Sequence, residues 1–334
     1  MMDRLTRLGV VVIGRNEGDR LVRCIESLTD RVTQLIYVDS GSSDESVSVA
    51  HHSGADVVPL DMTLPFTAAR ARNEGFASLI KHYPQIDYVQ FVDGDCEVNA
   101  QWLEKAEAFL DTHTDVAVVC GRRRERYPEK SIFNLLCDME WNTPIGEAKA
   151  CGGDAMMRVV AFENVHGFRV DLIAGEEPEL CVRFRAVGWK IWRLDEEMTL
   201  HDAAMTRFSQ WWKRTMRAGH AFAEGAYLHG APPERHWVSE SRRAWIWGLG
   251  IPFIALLLSL LSFKWGMLFL LIYPIQVIRL AKRNLATRKQ FWQEKTHWIV
   301  AFFLVLGKFP EMLGQIKFIQ RVYNGKQGKL IEYK

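Results

Sequence analysis

The chain has 334 residues, is 48% hydrophobic and 25% charged, and carries a formal net charge of +2. That composition is ordinary for a folded protein, and the near balance of charge removes the electrostatic case for nucleic acid as a partner. Its six cysteines (Cys24, Cys96, Cys120, Cys137, Cys151, Cys181) are scattered without a Cys-x-x-Cys pair, so they read as reduced core thiols of a cytoplasmic globular part. Residues 1–7 are charged, and the apolar run at 8–13 is too short for the core of a signal peptide.

Residues 8–13, closed by Gly14, have the pattern of a buried parallel strand. Leu21, Ile25 and Leu28 give residues 19–28 helical spacing, and residues 34–38 are a second strand, ending in Asp39-Ser40-Gly41-Ser42-Ser43-Asp44. A helix over 45–52, a strand over 56–60, a helix over 68–82 and a strand over 88–92 follow. Strand–helix units repeated at this length predict an α/β fold: a Rossmann-like, mostly parallel sheet with helices on both faces. In such sheets ligands bind beyond the carboxyl ends of the strands. Three polar clusters fall there: Arg15-Asn16-Glu17, residues 39–44, and Asp93-Gly94-Asp95. No Gly-x-Gly-x-x-Gly follows the first strand, which argues against a dinucleotide site.

The third cluster is the most informative. Alternate strand residues point to one side, so Asp93 and Asp95 are expected to aim together past the sheet. Two carboxylates there suit a hard divalent cation, Mg²⁺ or Mn²⁺, completed by a nucleotide diphosphate; the plain alternative is a solvated acidic turn. Arg122-Arg123-Arg124 reads as a solvated face or a lipid-phosphate contact. Glu176, Glu177 and Glu179, with Pro178, suit the first turn of a helix that continues over 180–187. Arg214 and Arg217, after Gln210-Trp211-Trp212, share one helix. They hold a phosphate group of donor or acceptor, or they rest with the tryptophans at a membrane surface.

At about Trp237 the composition changes. Residues 244–262 and 265–281 are apolar runs close to the roughly 20 residues that cross a bilayer, with tryptophans near their ends. Arg242 and Arg243 precede the first run, and Arg279, Lys282, Arg283, Arg288 and Lys289 follow the second, while the turn between offers only Lys264. The positive-inside rule then puts both flanks in the cytoplasm. A third stretch, about 297–319, mixes apolar residues with Lys308, Pro310, Gln315 and Lys317 and leads to a tail with Lys326, Lys329 and Lys334. It reads as an interfacial or re-entrant helix, with a third span as the alternative. The expected division is a globular domain over 1–237 and a membrane region over 238–334.

The order of motifs resembles the family 2 glycosyltransferases of the GT-A fold. The residues that carry the likeness are Val11 to Glu17, Val38 to Asp44, Ala71-Arg72-Asn73-Glu74-Gly75, Val92-Asp93-Gly94-Asp95, Gly152-Gly153-Asp154-Ala155-Met156 and Gly175-Glu176-Glu177-Pro178-Glu179-Leu180. The resemblance implies that Glu17, Asp39, Arg72 and Asp93 surround the nucleotide. It implies that Asp95, with Asp93 and His201, holds a Mg²⁺ or Mn²⁺ ion, and that Glu177 is the base, with Glu176 and Glu179 as rivals. Asp154 is a further candidate near the sugar or acceptor. Gln210 to Arg214 departs from the Gln-x-x-Arg-Trp motif of processive synthases, because the arginine is displaced by one residue and no tryptophan follows it.

The implied function is inverting, metal-dependent transfer from a nucleotide diphosphate sugar, taken as UDP-linked, to a lipid-linked or saccharide acceptor. Membrane lipid is the surrounding partner, at the cytoplasmic face of a bacterial-type inner membrane. Polyprenyl phosphate is one candidate acceptor. The competing classes are an inactive nucleotide-sugar-binding scaffold and a nucleotidyltransferase; the second needs a basic phosphate loop that Gly14-Arg15-Asn16-Glu17-Gly18 does not supply.

Overall fold

The computed structural model describes residues 5–288 and 294–325, so Lys289 and the tail lysines Lys326, Lys329 and Lys334 lie outside it. The first apolar runs form strands β1 (Leu5–Gly14), β2 (Val32–Asp39), β3 (Asp56–Pro59) and β4 (Tyr88–Asp93). Helices α1 (Asp19–Thr29), α2 (Ser46–His52) and α3 (Ala68–His82) connect them. Thr67 starts α3 by accepting the Arg70 N–H at its hydroxyl, 3.1 Å away, a role suited to its short polar side chain. Gly75 seats α3 on the sheet: a Cβ there would stand 2.4 Å from Val11 Cγ1 and 2.8 Å from Val38 Cγ2.

After β4 come β5 (Cys96–Val98), α4 (Trp102–Thr112), β6 (Val116–Glu125), α5 (Ile132–Trp141), β7 (Gly146–Glu147), β8 (Ala155–Arg158), α6 (Val159–Asn164), α7 (Glu176–Ala186) and β9 (Lys190–His201). They join one sheet in the order β3-β2-β1-β4-β8-β6-β9-β5, with β7 on β9. β1 to β4 pair in parallel, as strand–helix alternation predicts. The other half is mixed, because β8 arrives along a loop rather than a crossover helix and runs antiparallel to both β4 and β6.

Register places the site. Gly14 faces Asp39 and Ile13 faces Asp93, so the polar ends of β1, β2 and β4 share one edge. Phe91 pairs with Ala155, which brings the adjoining Asp154 to the end of β4. His201 pairs with Cys96 on one side and Glu125 on the other, which brings the last residue of β9 beside Asp95. Beneath this edge the core is apolar and aromatic; the rings of Phe91, Phe162 and Phe168 meet at 5.3–5.4 Å.

The chain divides into two compact units between Thr206 and Arg207, ahead of the composition change at about Trp237. Among its described residues the second holds helices alone: α8 (Phe208–His229), α9 (Val238–Trp245), α10 (Ile251–Leu261), α11 (Phe263–Leu270), α12 (Ile272–Arg288), α13 (Glu294–Leu306) and α14 (Lys308–Tyr323). α8 and α14 cross with backbones touching. A Cβ at Gly219 would lie 2.0 Å from the Glu311 carbonyl oxygen, and one at Gly314 would lie 2.0 Å from that of Met216. Beside the crossing, Glu224 accepts from Arg321 at 2.6 Å and stands 3.4 Å from His220 Nδ1. Among the described residues, three helical stretches are long and apolar enough to cross a membrane: Val238–Leu261, Phe263–Leu285 and Glu294–Tyr323.

Candidate active site

Asp93 and Asp95 do not aim together. β4 ends at Asp93 and the chain turns at Gly94-Asp95, so the alternation of a strand stops one residue too early. Asp93 takes Arg72 Nη2 at 2.7 Å on one oxygen and Arg123 Nη2 at 3.3 Å on the other. Asp95 is 4% exposed and directs Oδ2 at His201 Nε2, 3.3 Å away. Among the described residues, Asp95, Cys96 and His201 place ligand atoms within 4.8 Å of one another, and Asp93 belongs to a different group with Cys96 and Asp154.

Arg72 links this corner to the start of α7. Its Nη1 donates to Glu176 Oε1 at 2.9 Å while Nη2 holds Asp93. Burial opposes its charge, but Asp93 and Glu176 outweigh that and hold the guanidinium firmly protonated. Gly153 is small because Arg72 passes it: a Cβ there would lie 2.7 Å from Nη2. Of the three acidic residues in the first turn of α7, Glu176 is thus tied to Arg72, and Glu179 is clasped by Arg183 with contacts of 2.8–3.0 Å. Glu177, 7% exposed, has no arginine partner among the described residues; Oε1 accepts from the Cys151 N–H at 2.6 Å and lies 3.5 Å from Cys181 Sγ.

Asp39 shapes the loop that follows it. Oδ2 accepts from the N–H groups of Gly41 and Ser42 at 3.0 Å, and Oδ1 accepts from the Tyr37 hydroxyl at 3.2 Å. Asn16 bonds across to the same loop, accepting from Ser43 N at 2.7 Å. Glu17 lies against Gly94, with Oε2 2.8 Å from Arg20 Nη2. Asp154 is fully buried; it accepts from Asp93 N and Thr199 Oγ1, both at 3.0 Å, and stands 3.3 Å from Arg123 Nη1. It is therefore a support of the site, without the exposure needed to meet a sugar. Arg214 and Arg217 lie on α8, in the helical unit.

Residues 9–162 match the model of the family described as Glycosyl transferase family 2. The mannosyltransferase PcManGT of Pyrobaculum calidifontis, solved with GDP-Man and Mn²⁺, superposes with a TM-score of 0.58 at 15% identity, over 95% of this chain and 88% of that one. The chain carries a domain of the family 2 glycosyltransferases over residues 9–162, and its fold is GT-A. The glycosyltransferase AglE of Haloferax volcanii is 22% identical over 232 residues, 66% of this chain and 74% of that protein. A TPR repeat-containing protein of Synechococcus elongatus is 31% identical over 101 residues, but that alignment spans only 23% of its length.

Two residues that line this sheet edge escape the motif reading. Arg123 is not on a solvated face: it reaches Asp93 and Asp154 and stacks on Trp141 at 4.9 Å. Its neighbours Arg122 and Arg124 go instead to the surface carboxylates Asp195 and Glu197, with Arg124 also reaching Asp138. The available signal is strand parity, since the middle residue of three in β6 faces the opposite way. Glu125 is the second; its Oε2 is 3.7 Å from His201 Nδ1, on the far side of the ring from Asp95.

The cluster fits a divalent cation. Burial, and then Arg123, push His201 below its ordinary value, so its ring is neutral near pH 7, the form that ligates. One ring nitrogen faces Asp95 and the other faces a carboxylate, the arrangement that orients metal-binding histidines. Asp95 and His201 are the residues that would hold the ion.

Proposed function

We propose that this enzyme is an inverting, metal-dependent glycosyltransferase that moves a sugar from a UDP-linked donor to a lipid-linked or saccharide acceptor at the cytoplasmic face of an inner membrane. The observation that carries this reading is the unequal pairing of carboxylates at one sheet edge. Arg72 pins Asp93 and Glu176, and Arg183 pins Glu179, while Asp95 faces His201 and Glu177 faces a backbone N–H and a thiol. A bound Mg²⁺ or Mn²⁺ supplies positive charge that offsets the charge developing on the departing diphosphate. Glu17 and the Asp39 loop frame the nucleoside, and Arg72 and Arg123 bring positive charge beside Asp93. Glu177 takes the proton of the acceptor hydroxyl, and attack from the side opposite the leaving group inverts the sugar carbon.

The helical unit supports a membrane setting. Val238–Leu261 and Phe263–Leu285 form a hairpin whose flanks carry Arg242, Arg243, Arg279, Lys282 and Arg283, against Lys264 in the turn. α14 packs on α8, which carries Lys213, Arg214 and Arg217. Taking α14 through the bilayer would draw these charges with it at a cost of about 2.5 kcal/mol or more each; this favours an interfacial α14. Anchoring would hold the site near a lipid-linked acceptor and raise its effective concentration.

Calorimetry of the detergent-purified protein with UDP, GDP and CMP, with and without Mn²⁺, tests the reading. Mn²⁺-dependent, UDP-selective binding is expected. GDP selectivity, the donor base in PcManGT, would replace the donor and keep the class. Absence of binding by folded protein would leave the scaffold reading, and release of pyrophosphate rather than UDP would indicate nucleotidyl transfer.

A further inference from the structure

Two thiols converge on Glu177. Cys181 follows it by one turn on the same face of α7, and the loop before β8 lays Cys151 against both. The two sulfur atoms are 3.6 Å apart, and Cys181 Sγ is 3.5 Å from Glu177 Oε1. One donor atom from each of the three side chains lies within 4.8 Å of the others.

These separations match a shared cation. Around a tetrahedral Zn²⁺ with sulfur at about 2.3 Å and carboxylate oxygen at about 2.1 Å, neighbouring ligands stand about 3.8 Å apart (sulfur to sulfur) and about 3.6 Å apart (sulfur to oxygen). A disulfide would instead need the sulfurs at about 2.05 Å. Two sulfurs and one oxygen also form a donor set for a borderline-soft ion rather than for Mg²⁺. The ligands come from a helix and from a loop already tied to it by the Cys151 N–H to Glu177 bond, so little ordering remains.

We infer that Cys151, Cys181 and Glu177 form a site for one thiophilic divalent cation of the Zn²⁺ type, and that an ion held there occupies Glu177 and stops transfer. The binding stands on the geometry alone; the arrest of transfer rests on Glu177 as the base. Burial, and then the contact with Cys181, push the Cys151 thiol well up. Cys181 is drawn down by its contact with Cys151 but ends above its ordinary value through burial and Glu177. Both sulfurs therefore carry protons at rest. Binding exchanges two S–H bonds for two metal–sulfur bonds and releases two protons to solvent, with no change of oxidation state.

The test is a titration of the reduced, full-length protein in detergent with Co²⁺, read by its thiolate charge-transfer and tetrahedral ligand-field bands, followed by displacement with Zn²⁺. About one equivalent of thiolate-bound ion is expected in the wild type. Cys151→Ser and Cys181→Ser should each weaken it by at least the ~10–100-fold lost when only a partner of a ligand is removed. Cys96→Ser, beside Asp95 and His201, should keep the bands. Absence of thiolate bands, their persistence in both serine variants, or their loss in Cys96→Ser alone would overturn the site. A Cys151–Cys181 disulfide formed with diamide by protein that binds no Co²⁺ would do the same and make the pair a redox device. Zn²⁺ should also inhibit sugar transfer by the wild type and spare both serine variants. Thiolate-bound ion without inhibition would keep the site and remove Glu177 as base, and intact bands in a protein that transfers no sugar would count against the transferase reading alone.

Discussion

The β4–β5 corner and the Glu176-Glu177 step at the start of α7 each present a pair of carboxylates, and the two pairs are wired alike. In each, one member is held by Arg72: Asp93 at the corner, Glu176 on the helix. The other member has a different kind of neighbour, an imidazole for Asp95 and a backbone N–H with a thiol for Glu177. One buried guanidinium therefore holds one acid of each pair, Asp93 and Glu176, and leaves the other member to a different neighbour. The difference between the regions lies in that second neighbour. A neutral ring beside Asp95 suits sharing a cation, whereas at Glu177 the backbone N–H and the thiol both meet Oε1.

That comparison breaks in a definite order. Asp95→Ala should abolish the Mn²⁺-dependent part of UDP binding in calorimetry; unaltered binding would take Asp95 out of the cation site. Glu177→Gln should keep donor binding and lower turnover on the order of 10²–10⁴-fold, and near-normal turnover would pass the base role to another group. Arg72→Met removes the arginine partner of Glu176 and one of the two arginine partners of Asp93. Its cost should approach the low end of the ~3–5 kcal/mol for breaking a buried pair, since Asp93 keeps 28% of its side-chain surface exposed. Urea unfolding measures it, and a loss below about 1 kcal/mol would deny Arg72 its joint role. Glu125→Gln should weaken Mn²⁺ by about 10–100-fold with the fold retained, and unchanged affinity would show that Glu125 does not support His201.

Much of this arrangement is legible from the chain. Strand–helix alternation gives β1 to β4 and the edge that carries the site, and the acidic motifs mark its corners. Pairing is not legible. Arg72 and Glu176 are 104 residues apart, and nothing local to either says that they meet. Strand logic misplaces Asp95 because it extends β4 through a turn, and it leaves Arg123 in a basic run whose members face opposite sides of β6. Glu125 has no motif at all; it becomes a site residue because β6 and β9 pair with Glu125 opposite His201. The carboxyl end of β9 is fixed by that register, a long-range property with no short signature.

Gly75 shows how far such a site depends on an atom that is not there. The residue lies one turn after Arg72 and touches neither carboxylate, yet it sets the height of α3 above the sheet. With methyl carbon in place of hydrogen, contacts of 2.4 Å and 2.8 Å to Val11 and Val38 would have to open by about an ångström. α3 would rise as a rigid body and carry the guanidinium with it, so both of its ion pairs would lengthen together. The precision of the charged corner is thus a matter of stand-off distance, held by a helix lying as low on the strands as bare backbone allows.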